Sequence, residues 1–165
     1  ESTKTLDGVS KLAEWLLNEG ADRNSTLIAI GGGVIQDIAT FVSHIYYRGI
    51  SWVYVPTTLL SQSDSCIGAK CGINLGKFKN QLGVIHSPKL ILICDQFLST
   101  LNQDMLEDGL GEIIKLSLTS EFNFYLDLRK NINSSHELSQ KIENYIYSSL
   151  ISKKQIIELE TQEIT

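Results

Sequence analysis

All twelve glycines and both prolines of this 165-residue chain lie at or before Gly111, and the stretch from Glu112 to Thr165 contains neither. These are the residues that a helix interior tolerates least, so the back of the chain is free to be helical while the front must turn often. In the front, Leu6, Val9, Leu12, Ala13 and Leu16 recur at helical spacing, with Gly20 placed to end that helix. Thr26–Ile30 then reads as a buried strand running straight into Gly31, Gly32 and Gly33. A second helix is expected over residues 34–46, with Ile38, Phe41, Val42 and Ile45 on one face, and further strands at Ser51–Val55 and Leu90–Cys94. Strand, helix, strand in this rhythm predicts an α/β unit with a parallel sheet. Behind it, helices are expected at Gln103–Leu118 and Ser135–Glu160, the second with Leu138, Ile142, Tyr145, Ile146, Ser149 and Leu150 facing inward. The division falls near residue 100. Residues 1–100 read as the later part of an α/β domain and 101–165 as the start of a helical one, with more of both expected outside this chain.

At 42% hydrophobic and 20% charged, the chain has the composition of a folded protein. Fourteen Lys and Arg against nineteen Asp and Glu give a net charge of −5, which argues against a nucleic-acid partner, although a local basic cluster can still hold a phosphorylated metabolite. No apolar run reaches the ~18 residues of a membrane span and nothing reads as a signal peptide, so no membrane partner and a cytoplasmic location are expected. Cys66, Cys71 and Cys94 are odd in number and lack zinc-like spacing, which predicts reduced thiols. His44, His86 and His136 are scattered, whereas a catalytic zinc takes three protein ligands.

Four segments carry candidate chemistry, and each has a plainer reading. The glycine junction Gly31–Gly33 before a helix suits a pyrophosphate, because glycines admit a close approach and the helix start offers unpaired N–H groups; otherwise it is a tight turn. Asp37, one turn on, is either a carboxylate favoured by the helix dipole or an acceptor for a ribose or substrate hydroxyl. Thr57 and Thr58 after Pro56 either cap the next segment or contact a cofactor at the carboxyl end of a strand. The stretch from Asp64 to Asn80 sets Lys70, Lys77 and Lys79 among glycines, as a phosphate-capturing segment or a solvated loop. In Gly109-Leu-Gly-Glu-Ile-Ile-Lys115, Glu112 and Lys115 share a helix face as a surface pair or as part of a site, and the glycines before them would let something approach closely.

In this order and spacing, GGGVIQD, YYRG, VPTTLLSQSDS, GAKCGIN, KN and GLGEIIK resemble 3-dehydroquinate synthase and its sugar-phosphate cyclase relatives. The resemblance runs without a gap from about Thr26 to Leu118 and more softly to both ends. It implies an α/β cofactor-binding domain followed by the start of an all-α metal-binding domain. The implied activity is a lyase of the shikimate pathway, dependent on NAD and on zinc or cobalt, that closes a carbocycle from a seven-carbon sugar-acid phosphate with loss of phosphate. By motif position, Gly31, Gly32, Gly33, Val34 and Asp37 would hold NAD, together with Thr57, Thr58, Lys70, Lys79 and the run Phe97, Leu98, Ser99 and Thr100. Asp64, Lys70, Lys79, Asn80 and Lys115 would surround the substrate, Arg48 would reach a neighbouring subunit's phosphate in a homodimer, and Glu112 would bind the metal.

Departures from the family pattern bear on the substrate: Gln36 and Ala69 stand where glycines are usual, Cys71 replaces a small hydroxyl residue, and Leu75 and Lys77 replace a His and apolar pair. The family's two zinc-ligand histidines fall beyond the equivalent of Thr165, so the 165-residue chain alone is expected to be inactive. The alternatives are a relative making another cyclitol, of the 2-deoxy-scyllo-inosose or epi-valiolone synthase type, or a nucleotide-binding module without turnover. Glycerol-dehydrogenase-like enzymes share the fold but lack the lysine segment.

Overall fold

The hydroxyl of Thr5 accepts the Gly8 N–H at 3.2 Å and so opens α1, Leu6–Asn18, whose apolar stripe buries Val9 and Leu16. The computed structural model that places these atoms describes residues 1–120, 122–132 and 134–163. It divides into two compact units: Glu1–Pro56 with Ala69–Ile93, and Thr57–Gly68 with the chain from Cys94 onward. Where the sequence suggests one cut near residue 100, the chain therefore passes between the units more than once, and residues 57–68 group with the helical part.

In the first unit, β1 (Thr26–Gly31), α2 (Gly33–Ile45) and β2 (Ser51–Pro56) form the expected strand–helix–strand. β1 pairs with β2 in parallel from Thr26↔Ser51 to Gly31↔Pro56, and a two-residue strand, β5 (Leu90–Ile91), continues the sheet in the order β1-β2-β5. Helices α1 and α2 pack Val9, Leu16, Ile38 and Val42 with Tyr46, just after α2, around Ile50 and Ile73. Four expectations need correction. β1 is not buried throughout: Ala29 is, but Ile28 and Ile30, which alternate to the other face, are 62% and 58% exposed. Ile45 ends α2 and is also largely exposed, because the chain leaves the helix there. The last strand, β5, pairs only over Leu90–Ile91, where Leu90 faces Val53 and Ile91 faces Tyr54. The lysine segment is also no open loop, since β3 (Ile73–Leu75) and β4 (Phe78–Leu82) form an antiparallel hairpin around Gly76.

Ala69, at a usual glycine position, has φ +58 beside Gly68 at φ +103. A Cβ in the left-handed region is disfavoured, so Ala69→Gly is expected to stabilise the protein by about 0.5–1 kcal/mol despite glycine's larger chain entropy. A denaturant midpoint that falls in this variant would show that Ala69 is not strained.

Among its described residues the second unit is built of helices joined by turns, with no strand. A short π-helical turn at Ser61–Ser65 and a 3-10 turn at Asp95–Thr100 precede α3 (Gln103–Leu118), α4 (Phe122–Asn131) and α5 (Ser135–Glu163). The Asn102 side chain caps α3 by accepting the Met105 N–H at 2.9 Å. Leu59, Leu98, Ile113, Leu128, Tyr145 and Ile146 form the core, and the expected α5 stripe does face inward. α4 and α5 are also joined by polar contacts. Lys141 donates to Asp127 at 2.8 Å and Tyr145 does so at 2.9 Å, and chiefly the Lys141 hydrogen bond holds the Asp127 carboxyl below its usual range.

Candidate functional site

The glycine junction is open where a ligand would need it to be. A Cβ on Gly31 would stand 2.6 Å from Ile35 Cγ1, so this glycine lets α2 close against the strand, whereas a Cβ on Gly33 would meet nothing within 4 Å. Gly32 is the N-cap of α2 and has no side chain to cap it, so the first-turn N–H groups, that of Val34 among them, remain available to an anion. These residues fit a dinucleotide pyrophosphate. Asp37 is engaged within the chain: Oδ2 accepts from Lys4 Nζ at 2.9 Å and Oδ1 from the Gly72 N–H at 3.0 Å. Lys4 also donates to Asn80 Oδ1 at 2.8 Å.

Lys70 and Lys79 are exposed, Lys70 at a bridge to Ile85 and Lys79 on β4, so both ammonium groups are presented to solvent. Lys77 lies over the Phe78 ring at 5.4 Å. Arg48 is exposed in the Tyr46–Arg48 turn, where Tyr47, Arg48 and Gly49 have φ of +50, +66 and +121. Two consecutive non-glycine residues there persist only if the surroundings hold them. The Tyr46 hydroxyl donates to Ala21 O at 2.7 Å and the Ile50 N–H to Ser43 O at 2.8 Å.

In the second unit Thr58 takes the capping role: its Oγ1 accepts the Ser61 N–H at 3.2 Å. This begins the turn that carries Asp64, whose Oδ1 lies 2.9 Å from Lys153 Nζ on α5, with side chains 17% and 28% exposed. Glu112 pairs with Lys115 on α3. That hydrogen bond is the main cause of the raised Lys115 pKa, to which the nearby Asp64 charge adds. Asp64, Glu112, Lys115 and Lys153 thus form one charged cluster. Within the same unit, Leu98 and Ser99 from the segment 97–100 line an apolar cavity of about 420 Å³ with Leu59, Leu106, Leu110 and Ile142. Ser99 and Thr100 bond back to Gln96 O and Phe97 O at 2.7 and 2.8 Å.

Glu112 offers one oxygen donor to a metal, and among the described residues no group of three His, Cys, Asp or Glu could hold one. His44 is exposed, and its ring meets that of His86 edge-on at 5.2 Å. Cys66, Cys71 and Cys94 are free thiols, and burial pushes Cys66 up to about 12, which leaves it unreactive near neutral pH. Reasoning from the sequence missed Lys4 and Lys153. No local pattern marks either one, because their partners lie far along the chain.

Residues 1–108 match the family described as 3-dehydroquinate synthase N-terminal. A 3-dehydroquinate synthase of Clostridium tetani is 38% identical over 99% of this chain and 44% of its own length. The chain spans less than half the length of that relative. Among solved structures, 2-epi-5-epi-valiolone synthase from Streptomyces hygroscopicus with NAD+ and Zn2+ bound superposes with a TM-score of 0.83 at 31% identity, over 96% of this chain and 44% of that one. A 2-deoxy-scyllo-inosose synthase complexed with carbaglucose-6-phosphate, NAD+ and Co2+ gives 0.81 at 27% identity, over 95% and 43%.

Proposed function

The chain belongs to the 3-dehydroquinate synthase family, and on that premise we propose that the whole protein is an NAD- and metal-dependent lyase that cyclises a seven-carbon sugar-acid phosphate with loss of phosphate. The observation that carries this reading is the charged cluster of Asp64, Glu112, Lys115 and Lys153, in which acids and lysines from three separate segments converge. When bound, NAD supplies a transient hydride acceptor and a divalent metal supplies a Lewis acid for the hydroxyl being oxidised.

This chain's residues bind and orient. The first-turn N–H groups after Gly32 hold pyrophosphate, and Leu98 and Ser99 offer a largely apolar wall to the cofactor. Lys70 and Lys79 neutralise phosphate and carboxylate as exposed ammonium groups. The ion pair with Lys153 directs the Asp64 carboxylate, so that Asp64 can accept a hydrogen bond from a substrate hydroxyl. Glu112, released from Lys115, serves as one anionic ligand to the metal in the helical domain. Arg48, on a strained exposed turn, reaches the phosphate bound by a second subunit of a homodimer, and the protein works in the cytoplasm.

Product analysis of the whole protein with candidate sugar phosphates tests the reaction and separates it from the inosose and valiolone cyclisations. NAD binding without turnover of any of them would overturn it in favour of a nucleotide-binding module. The dimer reading has its own expected result. Arg48→Ala subunits mixed with Glu112→Gln subunits regain activity, because each hybrid dimer has one site with both residues intact. Hybrids as inactive as their parents would place Arg48 outside the partner's site.

A further inference from the structure

Two histidines that the proposed reaction leaves unused meet within the first unit. His44 lies in the last turn of α2 and His86 follows the lysine hairpin, and their ring centres are 5.2 Å apart at an interplanar angle of 68°. His86 Nε2 is buried and has no hydrogen-bond partner among the described residues. A buried ring nitrogen left without a partner calls for an explanation, and a bound ion is one of the few available. We infer that His44 and His86 form a binding site for a zinc ion, which ties the end of α2 to the segment that follows the hairpin.

The spacing of the rings and the lone nitrogen carry the inference together. Ring packing by itself tolerates centres about 4.5–7 Å apart, and it gives the Nε2 nothing to bond. A tetrahedral ion held at about 2.0–2.1 Å by one nitrogen of each ring sets the centres roughly 5 Å apart. Tetrahedral geometry with imidazole ligands favours zinc among the first-row divalent cations. Both rings are also held before an ion arrives. His44 rides on a 13-residue helix, and the His86 N–H donates to Ala69 O at 2.9 Å, beside the Lys70–Ile85 bridge. The last turn of a helix suits a cation, because its free carbonyls carry partial negative charge. His44 is exposed, so an ion reaches the pair from solvent. Among the described residues no third His, Cys, Asp or Glu joins the two, so water fills the other positions. Binding is accordingly weaker than at a site with three or four protein ligands.

The test uses the whole protein and Zn2+ alone, and no measurement in it needs turnover. Equilibrium dialysis is expected to show a zinc equivalent that His44→Ala weakens at least about tenfold, the lower end of what even a group behind a ligand is worth. His86→Gln is expected to weaken the same equivalent, whereas replacing the exposed His136 with alanine leaves it unchanged. Glu112→Gln, in the other compact unit, also leaves it unchanged. An ion that binds only the folded form stabilises it, so added Zn2+ should slow amide hydrogen exchange over residues 40–46 and 84–87. That slowing should be absent in His44→Ala. Zinc uptake by His44→Ala equal to that of the unaltered protein would overturn the inference. So would an equal loss in His136→Ala, which would mean zinc scattered over surface histidines, or exchange at the two segments that does not respond to zinc.

Discussion

Replacing Glu112 with glutamine in the whole protein is expected to cut metal affinity and turnover by at least about a hundredfold, since even groups behind a ligand are worth up to about that much. Glutamine keeps the shape of the side chain but removes the anionic charge that favours a divalent cation. In the structure Glu112 pairs with Lys115, whose side chain is 64% exposed. Losing that pair alone would cost only about 0.2–0.5 kcal/mol of stability, far too little to explain such an effect. NAD affinity should be unchanged, because the substitution leaves the glycine junction Gly31–Gly33, Leu98 and Ser99 as they are. Metal content, NAD affinity and turnover on one Glu112→Gln sample check all three. Full metal occupancy with ordinary turnover would return Glu112 to the role of a surface partner for Lys115.

Two glycines in one helix are expected to respond with opposite signs. A Cβ on Gly109 would lie 2.5 Å from Leu59 Cβ and 2.7 Å from the Leu60 backbone nitrogen, and backbone cannot rotate away. Overpacking of this kind costs about 1–3 kcal/mol, and here it opposes the gain of up to about 1 kcal/mol that alanine brings to a helix interior. Gly109→Ala is therefore expected to destabilise the second unit by about 1–2 kcal/mol. A Cβ on Gly111 meets nothing within 4 Å, so Gly111→Ala keeps only the helix gain, up to about 1 kcal/mol. Denaturant midpoints of the two variants, followed by hydrogen exchange in α3, check the contrast. A shift in the same direction for both would mean that Leu59 does not pack on Gly109. The close approach that the glycines before Glu112 suggest is real, but what approaches Gly109 is the chain's own segment after Pro56.

The parts of the fold legible in the sequence are those whose causes lie within a few residues. The 3.6-residue period placed α1, and the helix expected from about residue 103 to 118 agrees with α3. Pairs of β-branched runs announced β1 and β2, and three glycines marked the uncapped start of α2. Motif order was enough to assign the family, because several short patterns in fixed sequence do not depend on knowing how the chain folds. The lysine hairpin was harder to read. Its strands are short, Leu75 and Phe78 are exposed, and Gly76 with Lys77 is not a strong turn signal.

Other features only the tertiary structure decided. Asp37 reads in sequence as a dipole partner or a ribose acceptor, yet both its oxygens are taken by Lys4 and Gly72, 33 and 35 residues away. Asp64 finds Lys153 on a helix that no local pattern connects to it. Periodicity and capping arise from interactions three or four residues apart and are written in the local sequence. An ion pair between distant segments exists only once packing has brought the two backbones together, and the sequence of neither segment specifies its partner.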